Sequence, residues 1–157
     1  MASYETSINI AATTDKVWSA IEDVERWPRW TASMTSVERL DRGPLARGSR
    51  ARVKQPKLRP VVWTVTDLEP RRSFTWTARN PGITSVADHQ LSPGPGNTVN
   101  VRLSVRQTGP LAPLLGLLAS GLTRRYVNME AEGLKRYCEA DAVASPASLS
   151  EAHRAPA

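Results

Sequence analysis

Between residues 34 and 107 the chain reads as six consecutive strand-like segments, 34–41, 49–55, 61–69, 73–79, 83–91 and 98–107, with turn chemistry in every gap. The gaps hold Gly43-Pro44, Pro56 to Pro60, Pro70 to Arg72, Asn80-Pro81-Gly82 and Ser92 to Asn97, residues that set the dihedral angles of reversals. Connections this short join antiparallel neighbours, because a parallel return needs a crossover of about a dozen residues or more. The run is therefore a meander. In its last segment Val99, Val101, Leu103 and Val105 alternate with Asn100, Arg102, Ser104 and Arg106. One face of the sheet is thus built for burial and the other for water.

The ends of the chain supply what covers the buried face. Residues 3–10, SYETSINI, set Tyr4, Ile8 and Ile10 against Ser3, Glu5, Ser7 and Asn9 and predict a first strand. Thr13 or Thr14 can cap the helix that follows, Asp15 suits its first turn, and Val17, Ile21 and Val24 repeat at helical spacing with Trp18 beside them. Pro28 disfavours helical geometry at Trp27, so RWPRW predicts a break and a short second helix that packs Trp27 and Trp30 against the sheet rim. From Leu111 to about Glu139 the period turns helical. Leu115, Leu118, Leu122, Tyr126, Met129, Gly133 and Tyr137 form a stripe flanked by Leu134 and Cys138, with Arg124, Arg125, Glu130, Lys135 and Arg136 expected toward water.

A one-sided sheet with one long apolar helix to bury it predicts an α+β fold. About seven antiparallel strands curve around the C-terminal helix, and two short helices follow strand 1. Facing side chains that fail to meet would leave an internal space, and such a space is a ligand cavity by default. A chain of 157 residues, 40% hydrophobic and 23% charged, suits one globular unit. The expected domain spans 1–140, and the Ala/Ser/Pro-rich stretch DAVASPASLSEAHRAPA, 141–157, is expected to be a disordered tail.

Cys138 is the single cysteine, which offers no intrachain disulfide and no thiol cluster for zinc and favours a reducing compartment. MASYETSINI lacks the basic-then-apolar order of a signal peptide, and Leu111 to Leu122 is too short and interrupted to span a bilayer as a helix. A cytoplasmic location is expected. Arg50, Arg52 and Lys54 alternate on one outward face, Arg102 and Arg106 on another, within a net charge of +6. These rows suit a basic surface module or simply a solvated face, and no outward aromatic row accompanies them to stack bases. Nucleic acid is not expected as a partner, transient contact with a membrane stays open, and the sequence is silent on oligomeric state.

No P-loop, GxGxxG, HExxH, CxxC or GxSxG is present, and the histidines are His89 and His153 alone. No metal or cofactor is expected from that set. In VADHQL, Asp88 and His89 are adjacent, but neighbouring strand residues face opposite ways. His89 shares its face with Ile83, Ser85, Ala87 and Leu91, and Asp88 shares the other with Gln90. A cavity-facing imidazole can hold a ligand carbonyl, act as acid or base, or be a buried histidine bonded to an ordinary partner. Trp63 and Trp76 lie on apolar strand faces, as cavity walls or as core. Gln55 can offer its amide to a ligand or to a turn. Leu118, Leu122, Tyr126 and Met129 complete the candidate ligand-binding set on the helix. Gly116, Ala119, Ser120 and Gly121 either leave space, permit a gate, or let the helix pack closely.

The segments INIAATTDKVWSAI, VERWPRW, VKQPKLRPVVWTVTDLEPRRSFTW, GITSVADHQLSPGPGNTVNVRLS and MEAEGLKRY resemble the START-like or SRPBCC superfamily. It has the helix-grip fold of polyketide cyclase/dehydrase-like and lipid-transport proteins, and the resemblance runs from about Tyr4 to Glu139. Thr13 stands where such proteins often open the first helix with proline. The resemblance implies a small hydrophobic ligand, lipid- or polyketide-like, held between sheet and last helix. It implies as the alternative a polyketide cyclase/dehydratase-like enzyme in which His89 moves a proton.

Overall fold

The computed structural model describes residues 2–151, with side chains over 2–140. The chain opens with β1 (Ala2–Ile10), α1 (Thr14–Glu22) and a 3-10 helix (Val24–Arg29). Six strands follow: β2 (Ser36–Arg39), β3 (Arg50–Lys54), β4 (Val61–Glu69), β5 (Ser73–Asn80), β6 (Ile83–Pro93) and β7 (Val99–Thr108). The helix α2 (Ala112–Glu151) completes the fold. The tail expected over 141–157 falls beyond the residues whose side chains are described, and the backbone of α2 runs on to Glu151 within it.

The seven strands form one antiparallel sheet in the order β1-β7-β6-β5-β4-β3-β2. The meander from β2 to β7 is as the turn residues predict. Pro81 and Gly82 reverse the chain between the paired Asn80 and Ile83, Gly82 taking φ 78°, as the third position of a type II turn requires. β1 then pairs with β7 from Ala2↔Gln107 to Ile10↔Val99. Because β1 and β2 lie at opposite edges, the segment carrying α1 and the 3-10 helix must cross the sheet. A register shift in β4 between Val65 and Asp67 adds bend where the sheet curls.

Thr13 is the cap of α1, its hydroxyl accepting from the Lys16 N–H at 3.2 Å. The break between the two short helices comes at Asp23, earlier than Pro28 suggested, and Pro28 sits inside the 3-10 helix. The indole N–H of Trp27 donates to the Ile21 carbonyl at 3.0 Å, satisfying one of the acceptors a helix end leaves open. Trp27 and Trp30 are therefore not rim residues. Trp27 is only 1% exposed, and its ring centroid lies 5.6 Å from Trp30, 5.2 Å from Trp76, 6.3 Å from Phe74 and 5.3 Å from His89. The crossing segment turns these rings inward because it spans the concave face rather than its edge.

The helix α2 rests on β1 and β7. Tyr4 donates to Asn128 Oδ1 at 2.9 Å. The Glu139 carboxylate accepts from the Ala11 N–H at 2.9 Å and from Lys135 Nζ at 2.7 Å, and Lys135 also donates to the Asn9 carbonyl. The Ala11 hydrogen bond first, then Lys135, hold the Glu139 carboxyl below its ordinary range. A side chain at Gly133 would put its Cβ 2.0 Å from the Trp30 carbonyl oxygen, so the helix backbone lies directly against the segment after the 3-10 helix.

On the outer face the basic rows are interleaved with carboxylates. Arg50 lies 3.7 Å from Asp41, Arg52 3.5 Å from Glu38 and Arg102 3.9 Å from Glu5. Such exposed pairs add little stability, but they break up the positive stripe. Among the described residues no helix is long and apolar enough to cross a membrane.

Candidate functional site

Where α2 stands away from the middle of the sheet, a cavity of about 590 Å³ remains, within the size range of small-molecule sites. Its existence follows from side-chain size. Ala78 of β5 and Ser85 and Ala87 of β6 line it, and their short side chains leave volume that larger residues would fill. Trp27, Trp63 and Trp76 form much of the apolar wall, with Trp63 and Trp76 5.5 Å apart. Leu58, Arg59, Pro60 and Asn80 line it while exposed to solvent, and so mark its mouth beside the start of α2.

Gln55, Trp63, Trp76, His89, Leu122 and Tyr126 all line this space, although they come from four strands or strand ends and the helix. The Tyr126 hydroxyl donates to the Pro56 carbonyl and ties α2 to the β3–β4 loop. Leu118 and Met129 do not line it, and Leu118 is 74% exposed. The facing stripe is Leu115, Ala119, Leu122, Thr123, Tyr126, Val127 and Glu130. At about 100° per residue, Leu118 and Met129 point roughly 80–100° from its centre. Hydrophobicity alone misplaced the face, because α2 begins with leucines on several sides and Leu111, Leu114 and Leu117 are exposed as well. A Cβ on Gly116 would meet Ala2 of β1 at 2.8 Å, so that glycine serves close helix-sheet packing.

The strand geometry expected of VADHQL is observed. Asp88 is on the outer face, accepting from Thr75 Oγ1 at 2.7 Å and from Gln90 Nε2 at 2.7 Å. His89 is on the inner face, 3% exposed, its ring stacked on Phe74 at 5.0 Å. Both ring nitrogens are engaged. Nδ1 lies 3.1 Å from the Phe74 carbonyl oxygen and Nε2 lies 2.9 Å from Glu130 Oε1. A carbonyl only accepts, so Nδ1 carries a proton. One further proton between Nε2 and Oε1 then completes the second bond. An imidazole free to hold a ligand carbonyl, one of the sequence expectations, is therefore not what the cavity presents.

Glu130, a charged helix residue expected toward water, is turned inward instead. Its carboxylate side chain is 12% exposed and lines the cavity. The signal was a helical one: Glu130 stands four residues after Tyr126, on the same face. A glutamate is ordinarily assigned to solvent, and here the partner that justifies its burial is 41 residues away on β6. Removing either member of a buried charged pair would leave the other uncompensated. Among the described residues no group of three His, Cys, Asp or Glu side chains could hold a metal ion.

Solved structures share this architecture at low sequence identity. The protein XoxI from Bacillus cereus has a TM-score of 0.70 at 19% identity, covering 88% of this chain and 96% of that one. The Zhui aromatase/cyclase from a Streptomyces species has a TM-score of 0.71 at 17% identity, covering 87% and 93%. A START superfamily protein from Mycobacterium smegmatis has a TM-score of 0.68 at 15% identity, covering 88% and 98%. These likenesses carry the fold alone. Comparison with curated protein sequences gave no match. The sequence model described as polyketide cyclase / dehydrase and lipid transport matches residues 1–139, that is, every strand and nearly all of α2 that carries described side chains, and the chain belongs to that family.

Proposed function

We propose that this protein binds a small hydrophobic molecule, lipid- or polyketide-like, in the cavity between its sheet and α2. The observation that carries this reading is the space of about 590 Å³ walled by three tryptophans, in a chain whose family covers cyclases and lipid transport. Burial of apolar ligand surface supplies the driving force, at ~25 cal/mol per Å² before ordering costs are subtracted. Native mass spectrometry and solvent extraction of the purified protein should release an apolar molecule. A protein that emerges empty, and whose tryptophan emission is unchanged by any apolar fluorophore, would overturn the reading.

The pairing of His89 with Glu130 favours a second reading, a cyclase- or dehydratase-type enzyme acting on a polyketide-like chain. Glu130 would take a proton from the substrate at Oε2 while the proton between Oε1 and Nε2 passes to the imidazole, leaving a neutral carboxyl beside an imidazolium, and the reverse shift would return the proton to the substrate or its departing hydroxyl. His89 is then a positioning residue acting through Glu130. With a turned-over substrate in hand, His89→Ala should lower kcat about 100-fold or more with KM largely kept, and should reshape the pH–rate profile. Unchanged kcat and profile would remove the pair from any chemistry and leave carriage alone.

A further inference from the structure

We infer that the cavity selects apolar molecules carrying a hydrogen-bond donor, a phenol or alcohol hydroxyl, over those that offer an ether, ketone or carboxylate at the same place. This rests on the proposal that the cavity binds a hydrophobic ligand, and concerns what the deep end of the cavity recognises. Nδ1 of His89 gives its proton to the Phe74 carbonyl, which has none to give back. Between Nε2 and Glu130 Oε1, at 2.9 Å, there is room for one proton, belonging either to an imidazolium or to a neutral carboxyl group. In either arrangement that proton is used inside the pair.

The second carboxylate oxygen, Oε2, is thereby left as an acceptor whichever partner holds the shared proton. Among the described residues it has no hydrogen-bond partner, and it is not among the fully enclosed polar atoms that lack one. Glu130 lines the cavity, so Oε2 is open to its occupant. The rings of Trp27 and Trp76, with centroids 5.3 and 6.4 Å from that of His89, line the same cavity and offer a ligand apolar faces. A ligand hydroxyl placed here gains a hydrogen bond to a charged or strongly polarised oxygen in a low-dielectric setting. A ligand carbonyl or carboxylate placed here sets acceptor against acceptor. The pair thus reads one polar feature on an otherwise apolar molecule, and reads it with a fixed sign.

The test uses the full chain and three probes of one shape: 1-hydroxypyrene, 1-methoxypyrene and pyrene-1-carboxylate. The cavity tryptophans serve as energy-transfer donors that report occupancy. The hydroxyl probe should bind about 10-fold tighter than the methoxy probe, and the carboxylate probe should bind weakest. Glu130→Gln can turn its amide N–H toward Nε2 and still present an oxygen, so it should keep the preference. Glu130→Met keeps the length without an acceptor, so it should abolish the preference. Equal affinity for hydroxyl and methoxy probes in the parent chain, or a preference that survives in Glu130→Met, would overturn the inference and leave cavity binding standing. Failure of all three probes to quench tryptophan emission would instead overturn the binding proposal beneath it. The probe series on the parent chain decides the matter even if the methionine variant does not fold.

Discussion

Trp27→Ala is expected to lower folding stability by about 3–5 kcal/mol, the range for truncating a large buried aromatic. Trp27 touches the rings of Trp30, Phe74, Trp76 and His89 at once, so its loss leaves a void that no single neighbour can fill. It also removes the indole N–H that satisfies the Ile21 carbonyl at the end of α1. Denaturant titration reads the effect as a fall in the midpoint with little change in slope. Trp27→Phe should recover most of the packing and still lose about 1–2 kcal/mol, for the smaller ring and the missing donor. Because Trp27 lines the cavity, the alanine variant should also bind apolar probes more weakly. A loss under about 1 kcal/mol would mean that the aromatic cluster is far looser than its ring distances indicate.

Gly133→Ala tests a sign rather than a size. Helix propensity alone predicts that alanine in mid-helix stabilises by up to about 1 kcal/mol over glycine. At this position the new Cβ would lie 2.0 Å from the Trp30 carbonyl oxygen, far inside van der Waals contact. The obstacle is backbone, not the end of a flexible side chain, so α2 or the segment after the 3-10 helix must move. Overpacking of this kind costs about 1–3 kcal/mol, and a net loss of stability is expected. A raised Tm in Gly133→Ala would show that α2 does not lie so close to Trp30.

How much of the site could be read in advance differs from residue to residue, for physical reasons. His89 and Asp88 were separable because side-chain alternation along a strand is a strict twofold property of the backbone, and both lie where that period puts them. Gln55, Trp63 and Trp76 followed from the same alternation. The helical residues were less secure. A period of 3.6 spreads a stripe over a wide arc, and an apolar helix start with leucines on several sides does not say which of them meets the sheet. Hydrophobicity points Leu118 and Met129 inward on that basis, yet Leu118 stands in solvent. The sequence points Trp27 to the rim because nothing local says which way a crossing segment turns its rings.

Glu130 marks the boundary most clearly. The strand meander, its turns, the one buried sheet face and the long final helix are consequences of local chemistry: alternation, turn dihedrals and the helical period act over a few residues and are written in the order of the chain. The burial of a glutamate beside a histidine 41 positions away is not local. It depends on the rotation of α2 about its own axis and on the curl of the sheet, both set by the packing of many side chains against β1, β7 and the crossing segment. The fold was therefore legible from periodicity. The proton shared between His89 and Glu130, and the open acceptor it leaves in the cavity, came into being when the helix was laid across the sheet.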